Sequence, residues 1–586
     1  MNNILKYITP KQWGLIAVIG VLNVVQVWLN LRIPEYMAEI TQLIQTPGSL
    51  MQDIYTAGEY MLICAFISLV MIVLICFLAS RIAASVSQRI RGLMFERVDS
   101  FSMGDINKFS IASLITRSTN DVTQVQMVLT IGLQLIIFAP MLAAWAFAKI
   151  ATRGFEWTLA TGVAALFVVL LFVVVMLAVL PKFKIMQKLN DNVNDVAREN
   201  LMGLPVVRAY NAEGYQEAKF EKANDELTAT NLFTTRSMAV MMPLVGVIMN
   251  VLMLSIYWIG AVLINDAAPT EITPLFADMI VFSAYAMQVM LAFMMILMLF
   301  IFLPRAQVAA RRIYEVIVTE PSIKDGTVDD PGNGLKGEIE FRNVSFKYPG
   351  AVDYVLKDVS FSAKRGETVA FIGSTGSGKS TLINLVPRFY DVTEGSVLVD
   401  GMDVREYKLE TLYNKIGYIP QKSVLFTGTI ESNVAFGDNG SAPPTEDDVR
   451  DAVKIAQGKK FVEKMDGGYD ADVARGGTNL SGGQRQRLSI ARAICRKPEI
   501  YIFDDSFSAL DYKTDRTLRS ALKKETAGVT SMIVAQRIGT IMDADKIVVL
   551  DEGRVVGEGR HKELLRTCAV YKEIAMSQLS AEELAI

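Results

Sequence analysis

Histidine is almost missing from this chain: His561 is the only one in 586 residues. That excludes any mechanism needing two imidazoles, from proton relays to multi-histidine metal sites. Cysteine is scarce too. Cys64, Cys76, Cys495 and Cys568 stand far apart, without metal or redox spacing, and read as unpaired packing residues. Neither sign of charge dominates; the net of −3 gives no reason to expect a nucleic-acid partner. Residues 34–58 and 265–274 contain no lysine or arginine at all. The stretch ahead of the first apolar run is short and lacks an A-x-A site, so no cleaved signal peptide is expected.

What the chain has in excess is apolar surface. Hydrophobic residues make up 51 % and mean hydropathy is +0.32, too apolar for an ordinary soluble protein. Six runs, at 13–33, 59–80, 127–148, 157–180, 238–264 and 275–303, each approach the ~20 residues a membrane helix requires. The segment after the second run carries Arg81, Arg89, Arg91, Arg97, Lys108 and Arg117, and the one after the fourth is richer still. Set against the lysine- and arginine-free loops, these basic segments are expected to be cytoplasmic, with both termini inside. Lys149 and Arg153 in the third-to-fourth connection run against that rule and are outnumbered. Residues 81–98 and 182–201 mix apolar and charged side chains at helical spacing. The spans should therefore continue below the membrane, turning near 104–113 and 203–210.

Two patterns inside the runs admit two readings each. Asn23, Gln26 and Asn30 share a helix face, and Tyr285, Gln288, Asn250 and Gln134 add polar groups at similar depth. They line a water-filled path or serve as hydrogen bonds between helices. Met287, Met290, Met294 and Met298 form a stripe that is either packing or an adaptable binding surface.

After Pro304 the composition becomes mixed. A helix is expected to continue over 305–316 and a linker to follow, rich in Pro, Gly and Asp. From 337 onward strands alternate with helices. There Gly373-Ser374-Thr375-Gly376-Ser377-Gly378-Lys379-Ser380-Thr381 fits the phosphate-cradling pattern G-x-x-x-x-G-K-[ST] without mismatch. An apolar run precedes it and a helical run follows, so backbone N–H groups converge where phosphates would sit. Lys379 is placed for the terminal phosphates and the Ser380 hydroxyl for Mg²⁺. A second apolar strand ends in Asp504-Asp505, an acid suited to hold Mg²⁺. Between them lies Leu480-Ser481-Gly482-Gly483-Gln484.

With that pentapeptide the chain resembles a half-size ATP-binding cassette (ABC) exporter of the multidrug-efflux type. The resemblance implies an all-α membrane domain of six helices at 1–304, a linker at 305–336 and an α/β P-loop nucleotide-binding domain at 337–586. It implies ATP and Mg²⁺ as cofactors, a second half-transporter and membrane lipids as partners, a place in the cell membrane, and a small amphipathic, drug-like substrate, with a lipid or a peptide fitting equally well. Tyr348 takes the adenine-stacking role, Gln421 that of the Q-loop glutamine near Mg²⁺, and Asp504 that of the Mg²⁺ carboxylate. The segment from Ser508 to Asp511 matches the D-loop. Ser481, Gly482, Gly483 and Gln484 are the signature that closes over a partner's nucleotide. The turns near 104–113 and 203–210 correspond to coupling helices, and Asp472-Val473 to a loop that meets them.

Two positions depart from the family pattern. Where a catalytic glutamate is expected stands Asp505, one methylene shorter; a misplacement of about 1 Å can lower rate on the order of 10²-fold. Where the switch histidine is expected stands Gln536, which has no proton that titrates near neutrality. His561 belongs to a different segment and cannot replace it. Together they imply a degenerate site that holds ATP, and a heterodimer whose partner brings the missing Glu and His opposite this chain's intact signature. A slow homodimeric exporter and a nucleotide-gated channel are the alternatives.

Overall fold

The computed structural model describes residues 2–579 apart from 47, 153, 269–270, 330–331, 333, 441 and 509. Arg153, one of the two basic residues of the third-to-fourth connection, and Ala509 of the D-loop segment lie outside the described residues. The chain separates into two compact units, Met1–Val98 with Ala112–Thr319, and Asp99–Ile111 with Glu320–Ile586.

Among the described residues of the first unit six helices are long and apolar enough to cross a membrane: Pro10–Gln45, Met51–Asp99, Ile111–Ala151, Phe155–Met202, Glu213–Asn265 and Ile272–Val318. Between 17 and 33 % of each apolar window is buried, so most of that surface requires a non-aqueous neighbour. A helix the length of Met51–Asp99 reaches roughly 70 Å, against ~30 Å of bilayer hydrocarbon, so it projects far beyond any membrane. The start of the first helix is fixed by a capping box, Thr9 accepting from the Gln12 N–H. Proline lies inside five of them, at Pro34, Pro140, Pro181, Pro243 and Pro304, without ending the helix, as buried or lipid-embedded helices tolerate. The sixth helix runs unbroken past Pro304 to Val318. A π-helical turn at Arg117–Asp121 aims two charges at it: Arg117 reaches Glu315 at 2.8 Å and Asp121 reaches Arg312 at 3.2 Å.

On the polar face of the first helix, Asn30 acts as glue. The Asn30 side chain accepts from Ser68 at 2.8 Å and its carbonyl from Gln288 at 3.2 Å. The Tyr285 hydroxyl donates to the Leu31 carbonyl at 2.9 Å and lies 3.2 Å from Glu35, which also pairs with Lys149 at 2.7 Å. Asn23 Nδ2 and Gln288 Oε1 are buried without a partner, Gln134 is half-buried, and Asn250 is exposed. The methionine stripe divides: Met290 is fully buried and Met294 packs on the same core, while Met287 and Met298 are exposed.

Among the described residues the second unit holds twelve strands, β1 (Ile339–Phe346), β2 (Leu356–Ala363), β3 (Thr368–Gly373), β4 (Glu394–Val399), β5 (Met402–Asp403), β6 (Ile416–Ile419), β7 (Gly428–Thr429), β8 (Asp472–Val473), β9 (Ile500–Asp504), β10 (Thr530–Val534), β11 (Lys546–Asp551) and β12 (Arg554–Gly559). Six form one sheet in the order β12-β11-β3-β10-β9-β6, parallel from β11 to β6, with β12 antiparallel at the edge. The central strands are apolar on both faces, as a sheet covered on both sides requires. In such sheets ligands meet the carboxyl ends of the strands.

Two details of this unit are not evident from composition. The stretch after Val318, rich in turn residues, is pinned down rather than loose. Val328 bridges to Tyr407, the Leu409 N–H donates to Asp325 at 2.7 Å, and Lys408 pairs with Asp329 at 2.6 Å. And the turn near 104–113 is a short helix, Met103–Phe109, capped by Ser102, whose capping-box partner Asp105 also accepts from the Ser322 N–H at 2.9 Å and hydroxyl at 3.0 Å. Burial alone would raise the Asp105 pKa; the bonds from Ser322 and Ser102 outweigh it and hold the carboxyl below its usual range.

Candidate nucleotide site

Four neighbouring parallel strands deliver the site. The P-loop leaves β3, Asp504 ends β9 and Asp505 follows it, Gln536 lies two residues past β10, and Gln421 two past β6. The register pairs Asp504 with Val534 and Val534 with Phe371, so these strand ends finish level with one another. They open on a cleft of about 490 Å³ whose walls include Lys379, Ser380, Gln421, Asp505 and Gln536. Gly373, Ser374, Thr375, Gly376, Gly378 and Thr381 line it as well.

The loop's glycines are required by its path. At Gly373, with φ +157°, a Cβ would collide with the Leu550 carbonyl; at Gly378, with φ +95°, it would lie 2.7 Å from Leu356 Cδ2. Gly378 leads into the helix Lys379–Asn384. The Lys379 ammonium donates to the Gly373 and Ser374 carbonyls at 2.9 and 2.7 Å and approaches the Ser377 hydroxyl at 3.3 Å. Burial lowers its pKa, against the opposing charges of Asp505 and Asp504.

Ser380 Oγ donates to Asp504 Oδ1 at 2.7 Å. Adjacent oxygens around an octahedral Mg²⁺ with bonds of 2.0–2.1 Å stand about 2.9 Å apart, so this pair fits two places in one coordination shell. Asp504 is buried, and that burial raises its pKa; the neighbouring Asp505 adds to the rise and the Ser380 bond opposes it. A divalent cation held here would relieve the crowding of two carboxyls. Gln421 directs its amide nitrogen at Asp505, leaving its carbonyl oxygen as the atom that would face such a cation.

The two departures from the family pattern meet. Gln536 Nε2 donates to Asp505 Oδ2 at 2.7 Å, and Gln421 Nε2 approaches the same oxygen at 3.3 Å. Burial pushes the Asp505 pKa up, while the bonds from Gln421, Ser508 and Gln536 pull it back. Its backbone is left-handed, φ +46°, which an L-residue adopts only when its surroundings enforce it. Asp505 thus resembles an acceptor held by amides more than a free base.

Other expected residues lie elsewhere. Tyr348 bonds Thr381 through its hydroxyl at 2.9 Å, but its ring stands edge-on to Phe346 and Tyr390. Ser481, Gly482, Gly483 and Gln484 do not line the cleft. They begin the helix Gly482–Cys495, where Ser481 accepts from the Gln484 N–H and Gln484 Oε1 from the Ser481 N–H, at 3.3 and 2.8 Å. Such an end presents N–H groups to an anion. Ser508 donates to the Asp505 carbonyl at 3.0 Å, and Asp511 caps the helix Tyr512–Glu525. Asp472-Val473 pairs with Gly428-Thr429. The wall residues that no motif contains include Val355 and, on the C-terminal helix, Ile574, Ser577 and Gln578. The 3–4 spacing of the last three marks one helix face, but no motif ties that face to a nucleotide.

Comparison with known proteins accounts for both units. The family described as ABC transporter transmembrane region matches residues 16–303, and the one described as ABC transporter matches residues 356–508. An ABC transporter ATP-binding protein of Mycobacterium tuberculosis is 37 % identical over 569 residues, 96 % of each chain. The ABC transporter ATP-binding protein YfiB of Bacillus subtilis is 35 % identical over 99 % of each. An ATP-dependent lipid A-core flippase of Pseudomonas fluorescens is 32 % identical over 81 % of this chain and 77 % of its own. In fold, the chain is similar to a bacterial Atm1-family ABC exporter with ATP bound, with a TM-score of 0.80 over 97 % of this chain and 99 % of that one, at 23 % identity. A membrane region and an ATP-binding region, matched in that order, make this protein a half-size member of the ABC transporters with the fold of an exporter.

Proposed function

We propose that this chain is the ATP-holding subunit of a heterodimeric exporter in the cell membrane, with both termini cytoplasmic. The observation that carries the reading is the 2.7 Å bond between Gln536 and Asp505. The shorter acid and the non-titrating amide satisfy each other, which favours a stable, occupied site over repeated attack by water. Lys379 and the P-loop amides grip the phosphates, and Ser380 with Asp504 would hold Mg²⁺, which neutralises charge on those phosphates. Ser481–Gln484 closes on the nucleotide of a partner subunit, where hydrolysis takes place. Closure reaches the membrane helices through the short helices Met103–Phe109 and Leu204–Ala209, and alternating access moves the cargo outward.

The test is phosphate release by the purified chain alone, against the complex recovered from native membranes. We expect slow or no hydrolysis by the chain alone and robust hydrolysis by the complex. Robust turnover by the chain as a homodimer would sink the reading. For the cargo, an amphipathic molecule suits helices whose apolar walls carry scattered polar groups. The flippase relatives favour a lipid within that class, which vesicle assays with fluorescent lipids would separate from drug-like dyes.

A further inference from the structure

We propose that Gln578, on the C-terminal helix, is a positioning residue for Gln536, clamping the loop that carries it. Gln578 Nε2 donates to the Gln536 carbonyl at 2.8 Å, and its Oε1 accepts from the Ile538 N–H at 2.8 Å. Only a carboxamide sets a donor and an acceptor side by side in this way, so the side chain reads the loop backbone as a neighbouring strand would. The two groups it takes have no ladder of their own. β10 ends at Val534, and Ile538 opens the helix Ile538–Ile541, where first-turn N–H groups lack intrahelical acceptors.

The clamp is itself anchored. The helix Ala569–Gln578 buries Tyr571 and Ala575 completely, and the Tyr571 hydroxyl lies 2.7 Å from His561 Nδ1. The lone histidine therefore fixes the near end of the helix while Gln578 fixes the switch loop at the far end. On the other side of that loop, the Gln536 side chain reaches Asp505. The line Tyr571, Gln578, Gln536, Asp505 connects the end of the chain to the acid in the cleft.

This rests on the reading that Gln536 acts on bound ATP, and a double-mutant cycle separates the two. The full chain in lipid nanodiscs is loaded with mant-ATP and Mg²⁺, and release is followed after a chase of unlabelled ATP. Gln578→Ala is expected to speed release about 5-fold, the worth of one net hydrogen bond, and to have no further effect in a Gln536→Ala background. Gln578→Glu, which keeps the acceptor but sets a carboxylate oxygen against the Gln536 carbonyl, should release at least as fast as Gln578→Ala. Equal acceleration in both backgrounds means a general loosening of the helix and overturns the clamp, as does unchanged release in Gln578→Ala. If Gln536→Ala itself leaves release unchanged, the reading of Gln536 has failed instead, and any Gln578 effect seen beside it overturns the clamp as well.

Discussion

The P-loop and the corner facing it sit at the ends of neighbouring strands, yet they differ in kind. Around Lys379 and Ser380 every fixed position of the phosphate-cradling pattern is kept, down to Gly373 and Gly378, where a side chain would collide. Around Asp505 stand the two residues that, in the proposed reading, replace those that attack by water would use, and the two bond each other. Binding depends on many backbone contacts and survives loss of chemistry. Catalysis depends on the placement of single atoms, so it is the first to go.

The largest test of that contrast removes the grip. Lys379→Ala should weaken mant-ATP binding by the full chain about 100-fold, the scale of losing a charge-assisted contact to phosphate, whereas Gln536→Ala should shift it only a few-fold. Equal losses would erase the distinction. Next comes repair of the corner: Asp505→Glu with Gln536→His should raise phosphate release by the chain on the order of 10²-fold, more than either change alone. No gain from the pair would mean that the grip, not the corner, limits turnover.

A third test reads stability. Asp504 has a folded pKa raised above its unfolded value, so its contribution to stability is present at low pH and lost as pH rises through that raised pKa. Asp504→Asn should therefore raise the melting temperature of nucleotide-free protein at pH 7 by about 2 °C, or ~1 kcal/mol. The gain should shrink as the pH is lowered and the aspartic acid protonates. A loss at pH 7 would show that the carboxylate is already well compensated. The smallest effect is expected from Tyr285→Phe, which removes the bond to Leu31. A cost of ~0.6 kcal/mol in thermal unfolding with mant-ATP affinity unchanged would confine that contact to packing.

The sequence reading carries far where a pattern is local. The six apolar runs, the P-loop, Asp504 at a strand end and Gln421 near it are set by neighbours along the chain, and the structure places them accordingly. Asn30 and Tyr285 were ambiguous between path and glue because their partners come from distant helices. Tyr348 carries the right motif, yet its ring orientation depends on Tyr390, a residue the motif does not contain. Gln578 gave no sign, since a polar residue near a chain end is ordinary until the loop beside it is known.

By position in the chain, residues 99–111 belong with the membrane helices; by contact they belong with the ATP-binding unit. The polypeptide therefore enters that unit twice, and no single cut frees it whole. A protein beginning at Glu320 would leave Ser322 without its acid and strip the covering from Pro349, which lies against Gly104. Recombination that exchanges ATP-binding halves between transporters must then carry a small piece of the donor's membrane half along, or accept a mismatched seam.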